Sequence, residues 1–183
     1  LEYLISAANE TKMQMEFCAE VLKDFKKIIV FDPQDAKVFK REYKEWRVKP
    51  EIEVETYTSY VAELLNQGKL ESGINKKKVV YQDPFQLSRD MGEIDEPRKI
   101  IRAYAVCQEM LCHGKDTMWA GNLLMKEWIP GVILQVSAAR IGNARGVGAE
   151  TIVTASVSEY AALKEVEQTD VKIKSLEELI LGE

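Results

Sequence analysis

Residues 77–101 read KKVVYQDPFQLSRDMGEIDEPRKII, and the order of apolar and polar residues in this stretch predicts the class of fold. Residues 77–84 form a short apolar run that stops at an Asp-Pro pair, which predicts a buried β-strand. Asp95 followed by Pro97 is a typical helix start, and apolar residues continue from there at helical spacing. A strand, a polar loop and a helix in this order predict one unit of a parallel sheet.

The same alternation continues on both sides of this stretch. Predicted strands cover residues 26–33, 51–57, 106–114, 149–156 and 171–175, and predicted helices cover residues 12–25, 35–46, 59–67, 119–145, 157–166 and 176–183. Pro130-Gly131 is expected to interrupt the longest of these helices. We therefore predict an α/β fold, with a largely parallel sheet of strands alternating with helices on both faces. Ligands of such sheets gather at the carboxyl ends of the strands.

The composition restricts the class of protein. The chain has 183 residues, of which 46% are hydrophobic and 30% charged, with a net charge of -5 and a pI of about 5.2. Neither a basic stripe nor an apolar run of about 20 residues is present, so we expect no nucleic-acid partner and no membrane insertion. Three cysteines at irregular spacing indicate reduced thiols and a cytoplasmic setting. Because the chain opens on leucine, we expect that an upstream part is missing.

Several motifs stand in an order and spacing that one known family shares. That family carries Tyr-His-Asp-Pro-Cys-x-Leu-x-Arg and then a Glu-Pro-Arg helix start, and the chain keeps this pattern at Tyr81, Asp83, Pro84, Leu87, Arg89, Glu96, Pro97 and Arg98. Glu109-Met110, Ala120-Gly121 and GAETIVTAS (148–156) match later parts of the pattern. The chain thus resembles the cysteine-rich CCG domain of heterodisulfide reductase subunits, the glycolate oxidase iron-sulfur subunit and related iron-sulfur oxidoreductases.

The resemblance covers most of the chain and implies two repeats. The stretch IIVFDPQDAKVFKREY (28–43) is similar to the strand and helix of a preceding repeat. Residues 1–50 would then be the tail of that repeat, and residues 51–183 one complete repeat packed as an α/β unit. The resemblance also implies an electron-transfer setting, in which the partners are other redox subunits or the missing upstream part of the same protein.

The chain departs from the family at the residues that hold the family's iron-sulfur cluster. Thiolates are the soft, strongly donating ligands that such clusters need. The positions that match the cluster cysteines carry other residues, namely Asp32, Asp35, Phe85, Thr117, Met118, Ser156 and Glu159, and Gln82 replaces the family's histidine. We therefore expect a structural or docking role without a cluster, a resident metal or catalytic residues in this chain. Trp119 and Trp128 are expected to fill the space of the lost cluster.

Three other interpretations stay open. The oxygen donors at the strand ends would suit Mg²⁺ or Ca²⁺ if they converged, although such residues more often cap the following helix; these donors are Asp32, Asp35, Ser156 and Glu159. A strand-end crevice could instead bind a small anion, and its lining would be Gln82, Asp83, Arg89, Arg98 and Trp119. The third interpretation is a stand-alone protein of this fold with an unrelated partner, so whether the chain is an enzyme also stays open.

Overall fold

The computed structural model describes residues 8–49, 52–73 and 77–182. The chain divides into two compact units, of which the first ends at Tyr57 and the second begins at Thr58. Both units contain parallel strands accompanied by helices, so the predicted α/β class is confirmed. In the described ranges, no helix combines the length and the apolar character needed to cross a membrane.

The first unit contains a two-stranded parallel sheet. Its elements are α1 (Ala8–Leu22), β1 (Lys27–Val30), α2 (Pro33–Lys37), a π-helical segment (Val38–Glu42), α3 (Tyr43–Glu45) and β2 (Glu53–Thr56). β1 and β2 pair along their whole length. Met15, Tyr43 and Val48 form a small buried core. The helix predicted over 35–46 therefore forms, but its middle is a wider π-helical turn that the sequence pattern did not indicate.

The second unit contains a four-stranded parallel sheet in the order β4-β3-β5-β6. Its elements are α4 (Tyr57–Asn66, of which only Tyr57 is assigned to the first unit), β3 (Lys78–Gln82), a π-helical segment (Gln86–Met91), α5 (Asp95–Tyr104), β4 (Val106–Gln108), 3₁₀ turns (Gly114–Asp116 and Met125–Glu127), α6 (Pro130–Gly146), β5 (Thr151–Thr154), α7 (Val157–Glu165), β6 (Lys172–Ser175) and α8 (Leu176–Leu181). All four residues of β5 are buried, as expected for a strand covered on both faces.

The strand order creates a topological switch point between β3 and β5. From β3 the chain passes through α5 to β4 on one side, and it then returns through α6 to β5 on the other side. α5 contacts α8 and α6 contacts α7, so two helix pairs cover the sheet. The loops that follow β3 and β5 therefore diverge at the centre of the sheet, which is where ligands bind in open α/β folds.

The helix predicted over residues 119–145 is wrong in its first part. Helix α6 begins at Pro130, and the residues before it form a loop with one 3₁₀ turn. Proline suits the first turn of a helix because that turn needs no N–H bond, so Pro130-Gly131 starts the helix and does not interrupt it. Upstream, Gly121 has a φ of 114°, which no helix contains, and the Asn122 side chain accepts the N–H of Leu124 in a local turn.

Candidate functional site

The loops that follow β3, β4 and β5 meet at the carboxyl edge of the sheet. Gln82, the last residue of β3, donates from Nε2 to the carbonyl of Met118 at 3.0 Å and to Oε1 of Glu159 at 3.4 Å. Thr117 donates from Oγ1 to the carbonyl of Asp83 at 3.0 Å. These bonds join three segments that are far apart in the sequence. The buried or half-buried polar side chains at this edge are called the strand-end network, which comprises Gln82, Asp83, Arg98, Glu109, Arg140 and Glu159.

Arg98 of α5 uses every N–H group of its side chain within the protein. It donates to both carboxylate oxygens of Asp83 (2.6 and 2.9 Å), to both of Glu109 (2.7 and 2.9 Å) and to the Ile94 carbonyl (2.9 Å). Asp83 also accepts the backbone N–H of Gly114 at 2.8 Å. Burial opposes the charge of Arg98, but the bonds to two carboxylates outweigh it and raise the pKa of the guanidinium. Because a guanidinium has five N–H donors, none is left for a ligand.

Arg140 of α6 is fully buried at the same edge. Its Nε donates to Oε1 of Gln82 at 2.6 Å, and its Nη1 donates to the carbonyl of Leu111 at 2.9 Å and to Oδ1 of Asn143 at 3.0 Å. Its Nη2 has no hydrogen-bond partner in the part of the chain that the structure describes. Burial lowers the pKa of this guanidinium, although an arginine stays charged in proteins. The site therefore holds a buried cation with one unused donor group.

Glu159 of α7 is a buried acid that shares the Gln82 amide with Arg140. The amide nitrogen of Gln82 donates to Glu159, and the amide oxygen of Gln82 accepts from Arg140. Only 3% of the residue is exposed, and burial raises the pKa of its carboxyl group to about 8 despite the hydrogen bond from Gln82 and the charge of Arg140. The carboxyl group is therefore mostly protonated at neutral pH. Within the described ranges its Oε2 atom has no hydrogen-bond partner.

The raised pKa of Glu159 predicts a pH-dependent stability. The folded chain holds this proton between about pH 4.5 and about pH 8, where the unfolded chain has released it. The contribution of Glu159 to the free energy of unfolding is therefore fully present below pH 4.5, and it is lost as the pH rises to 8. Replacing Glu159 with glutamine keeps the shape and removes the titration. Above pH 8 we expect the free energy of unfolding of the variant to exceed that of the natural chain by several kcal/mol, since one pKa unit corresponds to about 1.4 kcal/mol.

Urea unfolding at pH 5, 7 and 9 measures this difference. The free energies of unfolding of the two proteins should diverge steadily as the pH rises. A variant in which the half-buried Glu177 is replaced with glutamine is the control, because that carboxylate is in the first turn of α8 and not in the strand-end network. Parallel pH profiles for the natural chain and the Glu159→Gln variant would contradict a buried, protonated Glu159.

The structure brings several of the positions that match cluster cysteines to this edge. Thr117 is buried and Met118 is exposed, and their loop is bonded to Gln82 and Asp83 as described above. Ser156 caps α7 because its Oγ accepts the backbone N–H of Glu159 at 3.4 Å. Phe85, which follows β3, is half-buried. None of these residues supplies a thiolate, so the residues present do not fit an iron-sulfur cluster.

The cysteines of the chain occupy other places. Cys18 is in α1, Cys107 is in β4 opposite Val79, and Cys112 is in the loop after β4 with a positive φ of 55°. Burial raises the pKa of the Cys107 thiol to about 11, which disfavours the thiolate that a metal would need. In residues 8–49, 52–73 and 77–182, no group of three or more His, Cys, Asp and Glu side chains is placed to hold a metal ion.

Asp32 and Asp35 belong to the first unit, where they flank the start of α2. Oδ1 of Asp32 accepts the backbone N–H of Gln34 at 2.8 Å, which is the geometry of a helix cap. Asp35 is exposed in the first turn of the same helix, where the helix dipole favours negative charge. Their positions after β1 are thus explained by helix capping without a metal.

Arg89 bonds the loop after β4, and the two tryptophans differ in their exposure. Arg89 donates from Nε to the carbonyl of Lys115 at 2.7 Å and from Nη2 to the carbonyl of Thr117, so it holds the loop after β4. Trp119 is half-buried, whereas Trp128 is 77% exposed. The expectation that Trp128 fills a buried space is therefore wrong, and polar side chains occupy the centre of this edge.

Sequence reasoning missed Arg140 as a member of the site. Its signal is present in the helical period of α6, whose buried residues are Ile133, Ser137, Arg140, Ile141 and Ala144. An arginine on the buried stripe of a helix indicates a buried polar partner, since an isolated charge is costly in a core. Glu109 was matched to the family pattern, but its bond to Arg98 depends on the position of the loop after β4.

The sequence matches no protein-family model and no curated protein.

Proposed function

We propose that this chain carries a degenerate CCG-type repeat, meaning one without the cluster cysteines, of a heterodisulfide reductase-like iron-sulfur oxidoreductase. Its role is structural: it supports or docks the redox subunits of an electron-transfer complex and binds no cluster itself. The observation that carries this proposal is that two of the substituted positions, Met118 and Glu159, meet at Gln82, which also bonds the carbonyl of Asp83 at the switch point.

The arrangement around Gln82 supports the loss of a cluster with the fold retained. A protein that kept the loops but not the ligands must satisfy the polar backbone groups that remain at the strand ends. Gln82 and Thr117 do this by donating to the carbonyls of Met118 and Asp83. Arg140 bonds the other end of the same amide from α6. These side chains stabilise the edge without soft metal ligands.

Exposed apolar side chains in loops at this edge support the docking role. Leu111 is 68% exposed and Met118 is 39% exposed, and both follow β4. Such exposed large apolar side chains are available for contact with a partner. Other redox subunits, or another part of the same protein, are the partners that the proposal assigns to this surface.

Iron analysis of the natural chain tests the absence of a cluster. After anaerobic purification we expect a colourless protein without iron or acid-labile sulfide, because the matched positions provide no thiolate. Iron together with acid-labile sulfide and broad visible absorption would overturn this part of the proposal. It would mean that Cys107, Cys112 or other residues had formed a site.

Restoring cysteines tests the family relationship separately. The quadruple variant F85C/T117C/M118C/S156C supplies four thiolates, the usual ligand set of a cluster. We expect it to take up iron and sulfide during anaerobic reconstitution. The matched control F85S/T117S/M118S, which keeps Ser156, should take up neither. If the cysteine variant has the circular dichroism spectrum of the natural chain but binds no iron, the loops lack the geometry of a CCG site.

The alternative of a small anion or a divalent metal at the strand ends has less support. Arg89 and Arg98 donate to backbone carbonyls and carboxylates of the protein. Asp32 and Ser156 direct their side-chain oxygens to backbone N–H groups as helix caps. An anion or a cation would have to displace these bonds, and so the structural role is the better account of the geometry.

A further inference from the structure

The first unit contains a cavity that is not part of the strand-end network. Its volume is about 650 Å³, which is in the range of small-molecule sites. It lies against the π-helical segment, which contributes Phe39 and Lys40, and against β2, which contributes Val54. π-helical turns often occur at functional sites, since the wider turn displaces side chains from regular helical positions. This cavity is called the lysine groove.

The walls of the lysine groove are mostly apolar. The rings of Phe39 and Tyr43 stack with their centroids 4.9 Å apart and an interplanar angle of 27°. Val48, Ile52 and Val54 complete the apolar lining. A surface of this kind stabilises a hydrocarbon chain or an aromatic ring by removing it from water.

The charged residues found among the described lining of the groove are lysines. Lys40, Lys44 and Lys49 line it, and no Asp or Glu does so among the described residues. The nearby carboxylates of β2 are already paired, because Lys27 binds Glu53 at 3.0 Å and Glu55 at 2.9 Å. In the described ranges, none of the three groove lysines has an ion-pair partner. Uncompensated charge of one sign beside an apolar wall attracts an anion.

We propose that the lysine groove binds a soluble amphipathic anion, in which an apolar chain or ring carries a phosphate head group. The apolar body would lie on Phe39 and Tyr43, and the head group would be bound by the lysines. A phosphate suits this place better than a carboxylate because three lysines line it and a phosphate monoester carries up to two negative charges. This proposal does not depend on the proposed function, which concerns the second unit.

Isothermal titration calorimetry of the whole chain with dodecyl phosphate, below its micelle concentration, tests the proposal. We expect saturable binding that weakens as salt is added, because ions screen the lysines. The variant K40Q/K44Q/K49Q should bind at least about tenfold more weakly. Each lost charge contact lowers the affinity by less than tenfold, but the effects of the three contacts multiply. Inorganic phosphate alone should show no binding, because it lacks the apolar body.

Two further variants test whether binding depends on the groove lysines and the open groove, and not only on the net charge of the chain. K12Q/K23Q/K26Q removes the same number of charges from exposed lysines of the first unit that do not line the groove, and it should bind like the natural chain. Val54→Trp fills the groove from β2 and should abolish binding while circular dichroism stays unchanged. The proposal is overturned if dodecyl phosphate does not bind, if the two triple variants bind equally, or if the Val54→Trp variant binds like the natural chain.

Discussion

Replacing Arg98 with leucine is expected to lower the free energy of unfolding by about 3–5 kcal/mol, because it leaves a buried carboxylate without its counter-charge. Asp83 is 1% exposed and loses both N–H bonds that Arg98 donates to it. Glu109 is less affected, since a third of its side chain is exposed and water can solvate it. Urea unfolding followed by circular dichroism measures the change.

Two companion variants show whether burial causes this loss. Adding Asp83→Asn to Arg98→Leu should recover part of the stability, because no charge then stays buried without a partner. Arg145 forms a similar two-bond pair with Asp170 at 2.6 and 2.9 Å, but both side chains are about half exposed. Arg145→Leu should therefore cost less than about 1 kcal/mol. Equal losses for the two leucine variants would contradict the argument.

Replacing Gly121 with alanine is expected to cost about 3 kcal/mol or more, because two penalties combine there. The backbone φ of 114° is one that residues with a side chain rarely adopt. An added Cβ would also lie 2.8 Å from Cβ of Ala162 and 2.9 Å from Oγ of Ser137, both of which are held by helices. Thermal and urea unfolding of the variant measure the loss.

Two other glycines separate backbone strain from crowding. Gly92 has a φ of 73° with open space around it, so Gly92→Ala should cost only about 1 kcal/mol of strain. Gly142 is within α6 and also has open space, so Gly142→Ala should stabilise the chain by about 0.5–1 kcal/mol. If Gly121→Ala costs no more than Gly92→Ala, close packing against Ala162 is not important at this position.

The elements with strong local signals were predicted correctly. The strands over 77–84 and 149–156 form as β3 and β5, and α5 begins at Asp95, because apolar runs, Asp-Pro stops and helix starts act on neighbouring residues. The segment before Pro130 was misassigned because its apolar residues suggest a helix. Several of them are exposed in the loop instead, among them Leu123 and Leu124.

The sequence predicted where the candidate site lies, but it did not predict the hydrogen bonds among its residues. Strand ends are visible in the sequence, so Gln82, Asp83 and Glu159 could be assigned to the carboxyl edge in advance. The pairing of Arg98 with Asp83 could not, since ion pairs and anion sites use the same residue types. Arg140 entered the site only through the crossing of α6 over the sheet.

The order of residues along the chain determines the alternation of strands and helices, the ends of β3 and β5, and the lack of a thiolate at Phe85, Thr117, Met118 and Ser156. These properties depend on each residue and its near neighbours. Tertiary structure decides that Arg98 donates all its side-chain N–H groups within the protein. It also decides that Glu159 holds a proton and that the lysine groove forms. Charge, burial and cavities arise where distant segments meet, as Gln82 and Arg140 do across 58 positions of the sequence. Only the strand order and the helix crossovers decide which segments those are.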